Sequence, residues 1–151
     1  MFDQIMGLLT GRGGEGAMRP DGELRLCIAA LLVEAARMDD WFNAAERGAI
    51  EAMLAERFEL SAAETKDLLS AAEKAVADSA QLFRFTDGVV RQVDVEERVR
   101  IVEMLWEVAY ADGVLSPEED TLLRRIAGLI HVPDRDRGLA RQRVLARLGF
   151  G

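Results

Sequence analysis

Apolar residues recur at helical spacing along most of the chain, and runs with the strict alternation of a β-strand are nearly absent. Alanine, leucine, glutamate and arginine dominate, and all four are good helix formers. The pattern predicts seven helices, at about residues 21–38, 44–58, 62–78, 81–91, 95–111, 117–130 and 136–148. Because the gaps are short, successive helices should pack as antiparallel or steeply crossed neighbours. We therefore expect an all-α fold, a compact bundle of about seven helices.

Several predicted helices carry a start signal in the residues before them. The pairs with the spacing of a capping box are Asn43 with Glu46, Ser61 with Glu64, Asp94 with Glu97, and Ser116 with Glu119. Pro117 strengthens the last pair, because proline suits the first helical position.

The first twenty residues differ from the rest of the chain. Met1–Leu9 has the apolar spacing of a short amphipathic helix, and the glycine-rich stretch 11–16 is typical of a flexible linker. We therefore divide the chain into an N-terminal segment, residues 1–20, and one helical domain, residues 21–151. A length of 151 residues fits a single domain.

Composition and charge exclude several classes of function. The net charge of −8 argues against nucleic-acid binding, because nucleic-acid binders carry a basic surface. The longest purely apolar run, Leu26–Val33, is too short to cross a bilayer, so we expect no membrane insertion. Cys27 and His131 are the only residues of their types, which argues against cysteine-rich metal sites and histidine-based catalysis. We expect a buried, inert Cys27, a helix-ending His131, and a cytoplasmic location.

A shift of 73 residues superimposes two segments of the chain. Residues 32–40 lie over residues 105–113. The register continues with Asn43 over Ser116, Glu46 over Glu119, and Ile50 over Leu123. Each copy is a predicted helix, turn and helix, with an aspartate, Asp39 or Asp112, ending the first helix. Such an internal helix-turn-helix repeat predicts a pseudo-two-fold unit whose long helices share one core.

The second copy resembles the signature of a known family. Its residues Glu107-Val108-Ala109-Tyr110-Ala111-Asp112-Gly113, followed by Ser116-Pro117-Glu118-Glu119, are similar to the signature of the TerB-like (tellurite-resistance B-like) family. The first copy resembles the same signature in weaker form, and Phe83-Arg84-Phe85-Thr86 is similar to the family's middle segment. The resemblance covers about residues 22–148.

This resemblance implies a compact helical domain that is linked to tellurite resistance and to other envelope or chemical stress. Members of the family are often proposed to bind metal through these acidic residues, and related domains occur beside DnaJ-type co-chaperone modules. The resemblance implies no firmly established enzymatic reaction.

Four carboxylates at the repeat turns are the candidate metal ligands. A tight turn would bring Asp112 near Glu119, and Asp39 near Glu46. Two ionised carboxylates at short range repel each other, so the arrangement favours a cation or a raised pKa. Oxygen ligands suit Ca²⁺ or Mg²⁺. Glu107 and Glu34, which match in the repeat, are candidate outer ligands if they turn toward the same cavity.

Local hydrogen bonding explains all four acids without a metal. A glutamate at the third helical position bonds the cap residue's amide, and Asp112-Gly113 is an ordinary helix ending. The spacing also resembles half of an EF-hand, but Val108 and Tyr110 would stand where oxygen ligands belong, which excludes a normal calcium loop. In the first copy, Asp40 and Ala44 replace the glycine and proline of the family pattern. If only one copy binds metal, we expect it to be the second.

Charge is unevenly distributed along the chain. Residues 94–120 carry nine acids and two arginines, which gives this region a net charge of −7. The acids form either a solvated helix face or a platform that attracts a basic protein partner. The last helix carries five arginines after residue 134. We expect it to dock on the core with its arginines in water. The alternative is pairing with the acidic face, within the chain or between subunits of a homo-oligomer.

These observations favour a non-enzymatic, cytoplasmic stress-response module. It would bind a divalent cation through the turn carboxylates, a partner protein through the acidic face around residues 94–120, or both. A purely structural protein–protein adaptor without metal is the alternative hypothesis. A carboxylate-based hydrolase is the third, because two close carboxylates are able to perform acid–base chemistry.

Overall fold

Seven helices make up the part of the chain that the structure describes, and they follow the predicted order closely. The computed structural model describes residues 20–37, 44–78, 82–111 and 115–149. The helices are α1 (Pro20–Ala36), α2 (Ala44–Phe58), α3 (Ala62–Asp78), α4 (Leu82–Gln92), α5 (Val95–Ala109), α6 (Pro117–Leu129) and α7 (Asp134–Leu148). No strand occurs in these ranges, and the expected all-α bundle is confirmed. The predicted N-terminal helix and linker lie outside the described residues, and the domain boundary after residue 20 stays a prediction.

Capping side chains start α3 and α5 where the residue spacing predicts them. The Ser61 hydroxyl accepts the Glu64 N–H at 3.1 Å, and the Ser61 N–H donates to the Glu64 carboxylate at 2.8 Å, which starts α3. At the start of α5, the Asp94 carboxylate accepts the Glu97 N–H at 2.9 Å. These three bonds satisfy donors that the start of a helix otherwise leaves unpaired.

Helix α1 is the centre of the fold. It packs against α2, α3, α4, α5 and α6. Every residue from Leu26 to Val33 is buried, as are Ala35 and Ala36. A helix that is apolar on all faces is stable only when other elements enclose it, so the long apolar run is a core helix. No helix in the described ranges combines the length and apolar character needed to cross a bilayer.

The internal repeat comprises three helices in each copy rather than the predicted two. In the first copy α1 packs against α2 and α3, and in the second copy α5 packs in the same way against α6 and α7. The second helices start 73 residues apart, at Ala44 and Pro117, whereas the third helices start 72 residues apart, at Ala62 and Asp134. The second copy is therefore one residue shorter between these points.

The second helices of the two copies, α2 and α6, end in the same way, although the connection that follows is one residue shorter in the second copy. Each second helix ends in a left-handed residue that is not glycine, with φ of 54° at Glu59 and 62° at His131. The N–H groups of the following residues, Leu60 and Val132, donate back to carbonyls five residues earlier at 3.0 and 2.9 Å. This is the long hydrogen bond of the Schellman motif. His131 thus ends a helix as predicted, through its backbone.

Helices α5 and α7 are joined through Trp106. Its side chain is 1% exposed, and its indole N–H donates to the carbonyl of Arg137 at 3.3 Å. The indole also stacks on Tyr110, with ring centroids 6.1 Å apart. On α7, Ala140 and Val144 are buried against the core. This contact sets the position of α7, and with it the position of the α7 arginines.

Helix α4 connects the two copies and packs mainly on α1. Phe85 and Val89 are buried, whereas Phe83 is 63% exposed. Arg84 is also exposed, and its guanidinium lies 5.6 Å from the centroid of the Phe85 ring. The segment that resembles the family's middle motif therefore contributes one aromatic side chain to the core and leaves another at the surface.

Candidate metal site at the repeat turns

Two buried glutamates occupy the same place in both copies of the repeat. Glu46 is the third residue of α2, and Glu119 is the third residue of α6. Each is 1% exposed, and within the described residues they are the only buried side chains of an acidic or basic type. Burying a carboxylate costs free energy unless hydrogen bonds, an opposite charge or a metal compensates it. Two of the four predicted ligands thus lie where a bound cation would offset the cost of burying a carboxylate.

Glu119 takes part in a complete capping box. The Ser116 hydroxyl accepts the Glu119 N–H at 3.1 Å, and the Ser116 N–H donates to Glu119 Oε1 at 2.9 Å. Pro117 occupies the first helical position, where its missing N–H costs nothing. The capping role predicted for Glu119 is confirmed, and it engages one of the two carboxylate oxygens.

Capping alone does not explain why Glu119 is buried. Ser61 and Glu64 form the same pair of hydrogen bonds at the start of α3, yet Glu64 is exposed to solvent. The hydrogen bonds from Ser61 lower the pKa of the Glu64 carboxyl, because they stabilise its ionised form. A glutamate can therefore form the capping bonds at the surface of this protein without being buried. The burial of Glu46 and Glu119 needs a separate explanation.

The remaining predicted ligands, Asp39 and Asp112, lie outside the described residues, as does the predicted cap Asn43. Within the described ranges, no group of three or more histidine, cysteine, aspartate or glutamate side chains is arranged to hold a metal ion. The approach of Asp39 to Glu46, and of Asp112 to Glu119, stays a prediction.

The two candidate outer ligands differ in their surroundings. Glu34 is half-buried, and burial raises the pKa of its carboxyl, opposed by the positive charges of Arg37 and Arg125. Glu107 instead pairs with Arg147 at 3.2 Å. An outer-ligand role for Glu107 would require this ion pair to open, whereas Glu34 carries no comparable short ion pair among the described residues.

Arginines within the chain balance much of the acidic region 94–120. The ion pairs are Glu103 with Arg143 and with Arg147, Glu107 with Arg147, and Glu97 with Arg57, at 2.8, 3.1, 3.2 and 2.8 Å. The structure thus shows the alternative considered for the last helix, in which its arginines pair with the acidic face of the same chain. Glu96 and Glu118 remain exposed.

Cys27 lies in the core on α1, where it is 5% exposed. Burial raises the pKa of its thiol to about 11, because an apolar environment disfavours the thiolate. The expected buried thiol is found, and its raised pKa opposes nucleophilic reactivity.

Arg141 belongs to no sequence motif that predicts an individual role for it. Its Nε donates to the Tyr110 hydroxyl at 2.9 Å, and its guanidinium lies 5.6 Å from the centroid of the Trp106 ring. The spacing of Arg137 and Arg141, one helical turn apart, shows that they share a face of α7. The aromatic partner lies 31 residues away in the sequence, so only the fold reveals this arrangement.

Comparison with known proteins identifies the family of the chain. Residues 25–142, more than half of the chain, match the family model described as "Tellurite resistance protein TerB". Neither a search of curated proteins nor a search of solved structures found a match. On the strength of the family match, the chain belongs to the TerB family of tellurite-resistance proteins.

Proposed function

We propose that this chain is a non-enzymatic, cytoplasmic module of the tellurite-resistance type that binds a divalent cation through carboxylates at its repeat turns. The ligands would be Asp112 with Glu119 in the second copy, and Asp39 with Glu46 in the first. Carboxylate oxygens are hard ligands, which makes Ca²⁺ or Mg²⁺ the expected ion.

The observation that carries this proposal is the matched burial of Glu46 and Glu119. Glu46 and Glu119, at equivalent positions, are both withdrawn from water, although Glu64 performs the capping role of Glu119 while exposed. A cation bound at each turn would offset part of the free energy lost when these carboxylates are desolvated.

The second copy is the better candidate. Its turn sequence, Asp112-Gly113, resembles the family signature more closely, and Ser116 holds one oxygen of Glu119 in a defined position. A ligand that is fixed before the ion arrives loses less conformational entropy on binding. In the first copy, Asp40 and Ala44 replace the corresponding glycine and proline.

Thermal unfolding of the chelator-treated full chain, with and without 1 mM Ca²⁺ or Mg²⁺, tests the proposal. A site with a Kd of about 10–100 µM would stabilise the fold by roughly 1.4–2.7 kcal/mol at this concentration. We expect the stabilisation to disappear in Asp112→Asn and in Glu119→Gln, and isothermal titration to give the stoichiometry.

Glu64→Gln is the matched control, because it removes the same carboxylate charge from a capping box at an exposed helix start. This variant should lose stability yet keep the full response to the cation. If no divalent ion shifts the unfolding of the wild-type chain, the cation-binding proposal is wrong.

A structural protein–protein adaptor without metal is the second candidate. The complete capping box of Ser116 and Glu119 favours it, because it already gives the buried carboxylate a structural task. A basic partner would bind the acids of region 94–120 that remain exposed, such as Glu96 and Glu118, since the α7 arginines already occupy Glu103 and Glu107. On this hypothesis Glu119→Gln lowers stability equally with and without divalent ions.

A further inference from the structure

A cleft of about 350 Å³ lies in the second copy, between the start of α6 and the first half of α7. Its charged lining consists of three arginines, Arg124, Arg137 and Arg141, and one acid, Asp120. The net charge of the whole chain is −8, so a concave surface with an excess of positive charge departs from the average of the protein. Such a surface attracts anions.

Arg141 presents its guanidinium in a fixed orientation. Its Nε donates to the Tyr110 hydroxyl at 2.9 Å, and its guanidinium lies over the Trp106 and Tyr110 rings at 5.6 and 5.8 Å from their centroids. No carboxylate among the described residues forms an ion pair with it, whereas Arg124 and Arg137 pair with nearby acids of their own helices. The Nη groups of Arg141 therefore offer oriented donors to an oxygen ligand.

The first copy shows that the fold does not require these arginines. In the 72-residue register of the third helices, Thr65 corresponds to Arg137 and Leu69 to Arg141. Thr65 and Leu69 are buried, at 3% and 0% exposure. A cleft of about 340 Å³ lies between the second and third helices of the first copy and overlaps the corresponding region in part. Its lining includes Thr65, Lys66 and Glu51, the last of which corresponds to Arg124. The three arginines of the second copy thus correspond to two buried residues and one acid in the first copy.

We propose that the cleft of the second copy binds a small oxyanion, such as phosphate or sulfate, through Arg124, Arg137 and Arg141. The planar fork of N–H donors on a guanidinium matches a pair of anion oxygens. The proposal rests on the guanidinium groups rather than on the start of α6, where the Ser116 and Glu119 N–H groups are engaged in the capping box and Pro117 has no N–H. This site is independent of the proposed cation site and uses the opposite charge.

A titration of the full chain with sodium sulfate tests the proposal. Ionic strength is held constant with sodium chloride, and a chelator is present so that no divalent cation contributes. We expect saturable movement of the Arg141 Nε–H and Trp106 indole N–H signals in ¹H–¹⁵N spectra. At ten times the Kd, the midpoint of thermal unfolding should rise by about 2–6 °C. Sodium phosphate should act in the same way.

Arg141→Gln should abolish the response, and Arg124→Gln should weaken it severalfold. Arg135→Gln is the matched control, because Arg135 is an exposed arginine of the same helix that does not line the cleft. It removes the same charge and should keep the wild-type response.

An equal response to sulfate in wild-type and Arg141→Gln chains would overturn the proposal, as would an equal response to chloride. If Arg141→Gln does not fold, the Arg124→Gln titration and the wild-type spectra decide the question. Unmoved Arg141 and Trp106 signals would then exclude the site. Because the chelator removes divalent ions, this outcome is distinguishable from a failure of the cation-binding proposal.

Discussion

The thiol of Cys27 occupies the space that a side chain at Gly88 would need. Cys27 lies on α1 and Gly88 on α4, and a Cβ atom at residue 88 would approach the Cys27 sulfur more closely than van der Waals contact permits. The absence of a side chain at Gly88 thus allows α1 and α4 to pack closely along the central helix.

We predict that Gly88→Ala destabilises the protein by about 1–3 kcal/mol, because the added methyl group overpacks the contact with Cys27. In a Cys27→Ala background the same substitution should cost little or become favourable, since alanine is the better helix former. Urea unfolding of the four chains of this double-mutant cycle measures the coupling.

Gly48→Ala is the control for this prediction. Gly48 lies within α2, and a Cβ there would meet no atom within 4 Å. We expect this substitution to stabilise the fold by roughly 0.5–1 kcal/mol through helix propensity alone. Equal effects of Gly48→Ala and Gly88→Ala would contradict the packing explanation.

Glu34 should make stability depend on pH in a defined direction. Burial raises the pKa of its folded carboxyl above the ordinary value of 4.5, so folding favours the protonated form. The contribution of this group is therefore fully present below the unfolded pKa, and it is lost as the pH rises through the folded pKa. We predict that Glu34→Gln is more stable than the wild type at pH 7 and that the difference narrows below about pH 4.5, as measured by urea unfolding.

Glu64→Gln should show the opposite trend, because hydrogen bonds from Ser61 lower the pKa of the Glu64 carboxyl. Its contribution is present above the unfolded pKa and is lost as the pH falls through the folded pKa. A difference between Glu34→Gln and the wild type that widens on acidification would disprove the assignment to burial.

The ion pairs between α5 and α7 should be sensitive to salt. Glu103 bridges Arg143 and Arg147 and keeps only 17% of its side chain exposed, whereas the arginines are about half exposed. We predict that Glu103→Gln costs about 0.5–1.5 kcal/mol at low salt and less at 1 M NaCl, where such pairs are screened.

Glu96→Gln, a change at an exposed acid of the same helix, is the control for Glu103 and should alter stability by less than about 0.5 kcal/mol. If the cost of Glu103→Gln is unchanged by salt, the contact acts through packing rather than through charge.

Most of the helix bounds were predictable from the sequence, because capping residues such as Ser61 and Ser116 mark helix starts locally. The sequence predicts α3 and α7 as helices but does not show that they belong to the repeat. One residue is missing between α6 and α7, which breaks the register of 73, and the left-handed positions Glu59 and His131 lack the glycine that usually signals such an end.

The candidate metal site was predictable only as a set of residue types. The burial of Glu119 beyond its capping role depends on how the helices pack around it, which no local spacing contains. The same holds for the α7 arginines, because the bond from Arg143 to Glu103 joins residues 40 positions apart. The composition shows that acidic and basic residues are both abundant, but only the fold shows which of them form ion pairs.

Ala30 and Glu103 hold matching positions in the first helices of the two copies, but Ala30 is fully buried and Glu103 faces the arginines of α7. The repeat is therefore asymmetric at this position: the first helix of one copy is enclosed there, whereas the first helix of the other copy borders α7 and solvent. A carboxylate at position 30 would be buried without solvent in the central helix, so the two positions are not interchangeable. At the matching position of the second copy, the arginines of α7 and solvent accommodate a charged side chain that the core around Ala30 would exclude.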